Sequence, residues 1–190
     1  MPNNSKIITV FGSSRPKEGH PGYEEARALG SALAAKSFVV CSGGYGGVME
    51  AVSRGAKESD GKTIGITAKF FSSRANNWID KEIRKKTWRD RLFELIRQGD
   101  GYIVCTGGTG TLVELAVVWE MLNKSVIEGK PLVALGEFWT PIIERVREVE
   151  CAGASPWGEC NRRLIEIAAS PAAAAGYLSK SLQAPPLSKK

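Results

Sequence analysis

The chain has 190 residues, 43% of them hydrophobic and 24% charged, with a formal net charge of +6. That length suits one domain, and that balance suits an ordinary globular core rather than a disordered or fibrous chain. No apolar run approaches the roughly 20 residues of a membrane span, and the N-terminus lacks a signal-peptide pattern, so a cytoplasmic protein is expected. The four cysteines (Cys41, Cys105, Cys151, Cys160) have no metal-ligand spacing. Cys41 and Cys105 end apolar runs, where free thiols act as small core hydrophobes. His20 is the single histidine, which argues against a His-based metal cluster or triad. The basic excess carries no zinc-finger or RRM-type motif, so nucleic acid is not expected.

In chain order, Lys6–Phe11 (KIITVF) reads as a strand, followed by Gly12, Ser13 and Ser14 and a Pro/Gly-rich loop. Tyr23–Lys36 carries Ala26, Leu29 and Leu33 at helical spacing. Phe38–Cys41 is a second buried strand running into Gly43-Gly44-Tyr45-Gly46-Gly47. The next helix has Val48, Ala51, Val52 and Ala56 on one face and ends near Asp60-Gly61. Thr63–Thr67 is a third strand. Residues 68–86 look irregular, and Lys81–Arg91 (KEIRKKTWRDR) reads either as a solvated charged face or as a basic rim that attracts phosphorylated molecules. A helix runs from near Thr87 to Gln98, and Gly101–Val104 is strand four. A glycine turn and an apolar-periodic helix, Thr111–Leu122, come next. Pro131–Leu135 is strand five, Phe138–Val149 a helix, Cys151–Cys160 a loop, Asn161–Ala169 a short helix and Pro171–Leu182 another. Residues 184–190 read as a frayed tail after a 1–183 domain.

Strands alternating with helices predict an α/β fold: a Rossmann-like open parallel sheet, helices on both faces, in a single domain. Ligands of such sheets bind at the strands' carboxyl ends, at a topological switch point. Three strand ends here carry Gly/Ser turns: Gly12-Ser13-Ser14, Gly43–Gly47, and Gly107-Gly108-Thr109-Gly110-Thr111. A glycine turn that opens a helix presents free N–H groups and the positive end of the dipole, a site for phosphate. The third turn is not a Walker A loop, because Gly110 is followed by Thr111 and Leu112. Nor is it a dinucleotide fingerprint, because Val113 stands where a glycine is needed. Glu114 has two readings: a reactive carboxylate, or the closing residue of a Thr111-x-x-Glu114 capping box.

TGGTGTLVE resembles the PGGxGTxxE signature of the LOG (Lonely Guy) family, also called lysine decarboxylase-like, whose members hydrolyse nucleoside 5′-monophosphates to free base and ribose 5-phosphate. Val10–Ser14 (VFGSS), Ser42–Met49 (SGGYGGVM) and Thr87–Arg91 (TWRDR) resemble that family's first strand, its GGGxxGLM loop and its TMHERK segment, in the same order. The resemblance implies a phosphoribohydrolase with Arg91 and Glu114 as catalytic residues and no metal or cofactor. It further implies nucleotide contacts from Gly12, Ser13, Ser14, Gly43, Gly44, Gly47, Met49 and Gly107–Thr111, and a ring-stacking role for Trp88, which otherwise reads as a core aromatic. Arg91 otherwise reads as a surface partner of Glu94 at i+3. The sequence departs from the family at Thr106 (Pro), Arg89 (His) and Leu92 (Lys), the last of which removes a cation. Molybdenum-cofactor carrier proteins share the fold and bind a phosphorylated pterin, so a non-catalytic carrier is the alternative. A homodimer or larger homo-oligomer is expected, with the Thr111–Leu122 helix and Trp119 as its contact.

Overall fold

A computed structural model describes residues 5–71, 74–127, 129–152 and 164–183. Seven parallel strands form one sheet: β1 (Ile7–Phe11), β2 (Val39–Ser42), β3 (Thr63–Ala68), β4 (Lys81–Lys85), β5 (Gly101–Val104), β6 (Leu132–Leu135) and β7 (Ile165–Ala168). Their spatial order is β4-β3-β2-β1-β5-β6-β7, so the chain reverses its direction of travel between β1 and β5. Ile8 of β1 lies beside Val40 of β2 on one flank and Gly101 of β5 on the other.

Six α-helices cover the sheet among the described residues. Helices α1 (Pro21–Ala34), α2 (Val48–Glu58) and α6 (Pro171–Gln183) share one core with Ile8, Val10, Val40 and Val133. Helices α3 (Trp88–Gln98), α4 (Thr109–Asn123) and α5 (Thr140–Cys151) share the other with Phe11, Tyr102, Val104 and Ala134. The alternation along β1, Ile8 and Val10 to one side and Phe11 to the other, is what a strand buried on both faces requires. No helix among the described residues is long and apolar enough to cross a membrane. The expected doubly wound α/β fold is therefore present, and the open switch point lies between β1 and β5.

Two edge strands depart from the expectation. Lys81–Lys85 is β4, not an irregular segment: it pairs with β3 from Ile64↔Lys81 to Ala68↔Lys85. Only Ile83 reaches the core, so the strand has no hydrophobic run to announce it. Its charged side chains instead suit an exposed edge, where charge discourages pairing with another chain. Ile165–Ala168 is β7 rather than part of a short helix; the alternation of Ile165, Glu166 and Ile167 is strand periodicity, masked by alanines after it. The remainder of the expected helix, 161–163, most of the 151–160 loop and the 184–190 tail lie outside the described residues. Helix α1 starts two residues earlier than its apolar pattern, at Pro21, because His20 caps it: His20 Nδ1 accepts from the Gly22 N–H at 3.0 Å.

Helices α1 and α2 pack with their backbones in contact. A Cβ on Gly30 would lie 2.7 Å from the Ala56 nitrogen and closer still to the Val52 carbonyl. Backbone cannot yield as a flexible side chain does, and overpacking costs about 1–3 kcal/mol. Alanine would recover roughly 1 kcal/mol of helix propensity, so the clash wins. With a net loss of about 1–2 kcal/mol, Gly30→Ala is expected to lower Tm by roughly 2–8 °C, at about 2–4 °C per kcal/mol for a domain of this size, which thermal denaturation followed by circular dichroism would read.

Candidate active site

The carboxyl ends of β1, β2, β3 and β5 meet around a cleft of about 830 Å³. The three Gly/Ser turns are tied together there by the backbone. The Ser13 N–H donates to the Thr106 carbonyl at 3.1 Å, and the Val48 N–H donates to the Ser13 carbonyl at 2.8 Å. Ser13 thus spends its own amide on joining the β1 turn to the β5 turn. Below them, the Trp139 indole Nε1–H donates to the Cys105 carbonyl at 2.9 Å and fixes the end of β5 from the β6 side.

Gly12, Ser13, Ser14, Met49, Gly107, Gly108, Thr109, Gly110, Thr111, Arg91 and Glu114 all line this cleft. Helix α4 opens at Thr109 with Gly108 at its N-cap and no side-chain cap. The N–H groups of Thr109, Gly110 and Thr111 therefore precede any intrahelical acceptor and face the opening, as an anion site requires. This start also removes the capping-box reading of Glu114. Thr111 lies inside the first turn instead of at the cap, and Glu114 falls in the second turn. At ~1.5 Å per residue, its Cα stands roughly 4.5 Å along the axis beyond Thr111.

Arg91 is not a surface residue paired with Glu94. Its side chain is 8% exposed. Its Nε donates to the Ile66 carbonyl at 2.7 Å and its Nη2 to the Gly43 carbonyl at 3.1 Å, while the Met49 sulfur lies 3.8 Å from Nη2. The guanidinium also lies against the Tyr45 and Phe71 rings, 5.4 and 5.5 Å from their centroids. Tyr45 is itself clamped, its hydroxyl donating to the Ala68 carbonyl and accepting from the Ala68 N–H. What remains is Nη1, which points to Glu114 Oε1 at 4.0 Å. Glu94 has other partners: Arg97, Gln98 and Lys85 surround it and hold its carboxyl down at about 2, with Arg97 the largest cause.

Burial sets the electrostatics of the pair. It pushes the Glu114 carboxyl up to about 7 against the opposing pull of Arg91. It also pulls the Arg91 guanidinium below its usual range, with Glu114 opposing. Arginine stays charged regardless. The cleft therefore holds a permanent cation beside a carboxylate that exchanges its proton near neutrality, the property wanted of a general base. The buried Cys41 and Cys105 thiols are pushed up to about 12 by desolvation and are inert.

Some expected residues do other work. Gly43, Gly44 and Gly47 do not line the cleft. A Cβ on Gly43 would strike the Arg91 guanidinium and the Met49 sulfur, so this glycine makes room for the arginine. Gly47, at φ +70°, lets the second turn close on the Ser13–Ser14 backbone, and Gly44 lies against Gly65 of β3. Trp88, 42% exposed at the start of α3, is outside the cleft lining and is not a core aromatic either. Of the basic run, only Arg91 reaches the cleft; Lys85 pairs with Glu94 and Arg89 stays exposed. Leu92, where the family has a lysine, is buried in the core. The lining also includes four side chains that motif spacing did not single out: Arg15, Tyr45, Phe71 and Phe138. The glycines flanking Tyr45 were the one signal available, since an aromatic in a tight turn at a strand end has little core to enter.

Glu114 also links stability to pH. Its folded value exceeds the ordinary 4.5, so between these values the folded state holds a proton that the unfolded state has lost. The protein is then most stable, as far as this group is concerned, below pH 4.5, and loses that contribution as pH rises toward 7. Glu114→Gln mimics the protonated form. Its stability relative to wild type is expected to rise by roughly 3 kcal/mol between pH 4.5 and 7.5, at ~1.4 kcal/mol per unit, in urea titrations at several pH values. A pH-independent difference would contradict the shift.

Residues 5–151 match the model of the SLOG cluster4 family. The cytokinin riboside 5′-monophosphate phosphoribohydrolase of Mycobacterium marinum is 32% identical over 129 residues, 63% of this chain and 68% of that protein. The enzyme of that name from Arabidopsis thaliana is 33% identical over 134 residues, 67% of this chain and 59% of that protein. Among solved structures, the molybdenum cofactor binding protein from the phototrophic bacterium Rippkaea orientalis superposes with a TM-score of 0.73 at 25% identity, over 94% of this chain and 98% of that one. The molybdenum cofactor carrier protein of Chlamydomonas reinhardtii shares the fold at a TM-score of 0.69 and 20% identity, over 95% and 99%. The phosphate-sized turn at β5, the parallel sheet and the match across residues 5–151 agree, and the chain belongs to the SLOG cluster4 family.

Proposed function

We propose that the chain hydrolyses the N-glycosidic bond of a nucleoside 5′-monophosphate of the AMP or cytokinin riboside type, giving free base and ribose 5-phosphate. The observation that carries this reading is the pairing of buried Arg91 with part-buried Glu114, one helical turn from the free amides of Thr109–Thr111 in the same cleft. The 5′-phosphate rests on those amides and the Thr111 hydroxyl, with Arg15 adding charge. The sugar then lies over Glu114. As the base departs, positive charge grows on the ribose ring, and the carboxylate stabilises it. Glu114 takes a proton from water as the water oxygen bonds to C1′; the C1′–N bond breaks and its electrons leave with the base. Arg91 holds carboxylate and sugar in register, a task for a rigid fork and not for a base. Tyr45, Phe71 and Phe138 offer faces for the base, in place of Trp88. The names of the curated relatives support this chemistry.

A second reading, a carrier that binds a phosphorylated pterin without turnover, draws on the cleft volume of about 830 Å³, the core position of Leu92 and the likeness to molybdenum cofactor proteins. Self-association is proposed through the outward face of α4. Trp119 is only 7% exposed, within its own core, so Leu112, Ala116 and Glu120 form that face.

Incubation with AMP and N6-substituted AMP, followed by chromatography of the free base, tests the hydrolase reading. Release is expected, with Glu114→Gln reducing it about 10³-fold, within the range for a positioned general base. The acid limb of the wild-type rate is expected to rise with an apparent pKa of about 7, because only the ionised carboxylate acts. Binding of a phosphorylated pterin with no base release from any monophosphate would favour the carrier.

A further inference from the structure

The turn after β2 grips Arg91 on two sides, and a side chain outside the cleft holds that turn. The Gly43 carbonyl accepts from Arg91 Nη2, and the Tyr45 ring lies against the guanidinium. The next two carbonyls of the turn are taken by Asn76, in the connection between β3 and β4. Its N–H donates to the Gly44 carbonyl at 2.8 Å, and its Nδ2 donates to the Tyr45 carbonyl at 2.9 Å. Asn76 Oδ1 accepts from the Trp78 N–H at 3.0 Å, so the side chain is held at both ends. The Tyr45 ring is anchored at its far end as well, through its hydroxyl on the Ala68 backbone. Three consecutive carbonyls of the second turn are thus engaged, one by the arginine and two by Asn76, which does not itself line the cleft.

We propose that Asn76 and the Tyr45 hydroxyl are positioning groups: they keep the Arg91 fork on the strand-end carbonyls, just short of a hydrogen bond to Glu114. As positioning for catalysis, the inference rests on the hydrolase reading above. A guanidinium donates along fixed directions. With Nε on Ile66 and Nη2 on Gly43, Nη1 stands 4.0 Å from Glu114 Oε1, beyond hydrogen-bond range. A loosened turn no longer fixes the Gly43 carbonyl, and the fork is then free to close on the carboxylate, as such pairs favour. A direct ion pair favours the ionised carboxylate, and water entering a loosened turn favours it too. By either route Glu114 returns toward the ordinary carboxylate range and becomes a weaker base. The other groups around the pair do not offset this. Arg15, from the β1 turn, is a further cation, and Cys41, at the end of β2, stays a neutral thiol. Glu94, on α3 with Arg91, is held by Arg97, Gln98 and Lys85.

Two variants test this. Asn76→Ala removes the side-chain ties, and Tyr45→Phe keeps the ring and removes only its anchor. Base release from AMP is followed between about pH 5 and 9 in both variants and in wild type. Each variant is expected to lower kcat roughly 10-fold or more, as a displaced group does. KM is expected to hold within about threefold, because the phosphate amides belong to the β5 turn. The acid limb is expected to move from about 7 toward the ordinary carboxylate value, by at least about one pH unit. A second readout needs no turnover: urea titrations at several pH values, with and without Glu114→Gln. The pH-dependent part of the stability difference caused by Glu114→Gln is expected to shrink in both variants. An unchanged pH dependence in either measurement, even with a lowered Tm, would overturn the inference, as would a raised KM at unchanged kcat. If wild type releases no base, the hydrolase reading fails, and the stability measurement alone decides whether Asn76 and the Tyr45 hydroxyl position the pair.

Discussion

A buried guanidinium organises the carboxyl edge of this sheet. Arg91 enters from α3, ties the ends of β2 and β3 through the Gly43 and Ile66 carbonyls, and turns its last nitrogen toward Glu114 on α4. Burying such a charge is costly, and removing one partner of a buried pair typically costs about 3–5 kcal/mol. The surroundings answer that cost with two carbonyls, two aromatic faces and one carboxylate. The absence of a side chain at Gly43 is part of the same arrangement. Local sequence at the second turn is therefore set by the needs of a residue about 50 positions later.

The price of that arrangement falls on Glu114. With Arg91's hydrogen bonds directed mainly at backbone carbonyls and the carboxylate 4.0 Å away, the ion pair lacks a direct hydrogen bond. Desolvation then outweighs attraction, and the carboxyl titrates near neutrality. A tighter pair would give a more stable protein with a permanently ionised, weakly basic carboxylate. Loosened, the pair keeps a cation fixed and a proton exchangeable at the same spot, which is how functional sites tend to use burial.

Much of this was legible in the chain. Apolar runs ending in Gly/Ser turns located β1, β2 and β5 and the edge where a ligand would bind, and the resemblance to the LOG family, not the spacing by itself, singled out Arg91 and Glu114. The edge strands were not legible, because β4 has a single core-facing side chain, Ile83, and strand patterning depends on burial. The partners of Arg91 were equally hidden: an arginine three residues from a glutamate on a helix looks like a surface pair, and only the sheet topology shows Glu94 engaged elsewhere. Trp88 shows the converse failure. A position carried over by resemblance need not keep its surroundings, and here the rings in the cleft come from Tyr45, Phe71 and Phe138 instead.

The most direct measurement is a crystal structure of the Glu114→Gln variant soaked with AMP. The account predicts phosphate oxygens on the Thr109–Thr111 amides, with C1′ between residue 114 and the Arg91 fork and the base against Tyr45, Phe71 or Phe138. Phosphate bound away from the β5 turn, or a sugar out of reach of residue 114, would contradict it.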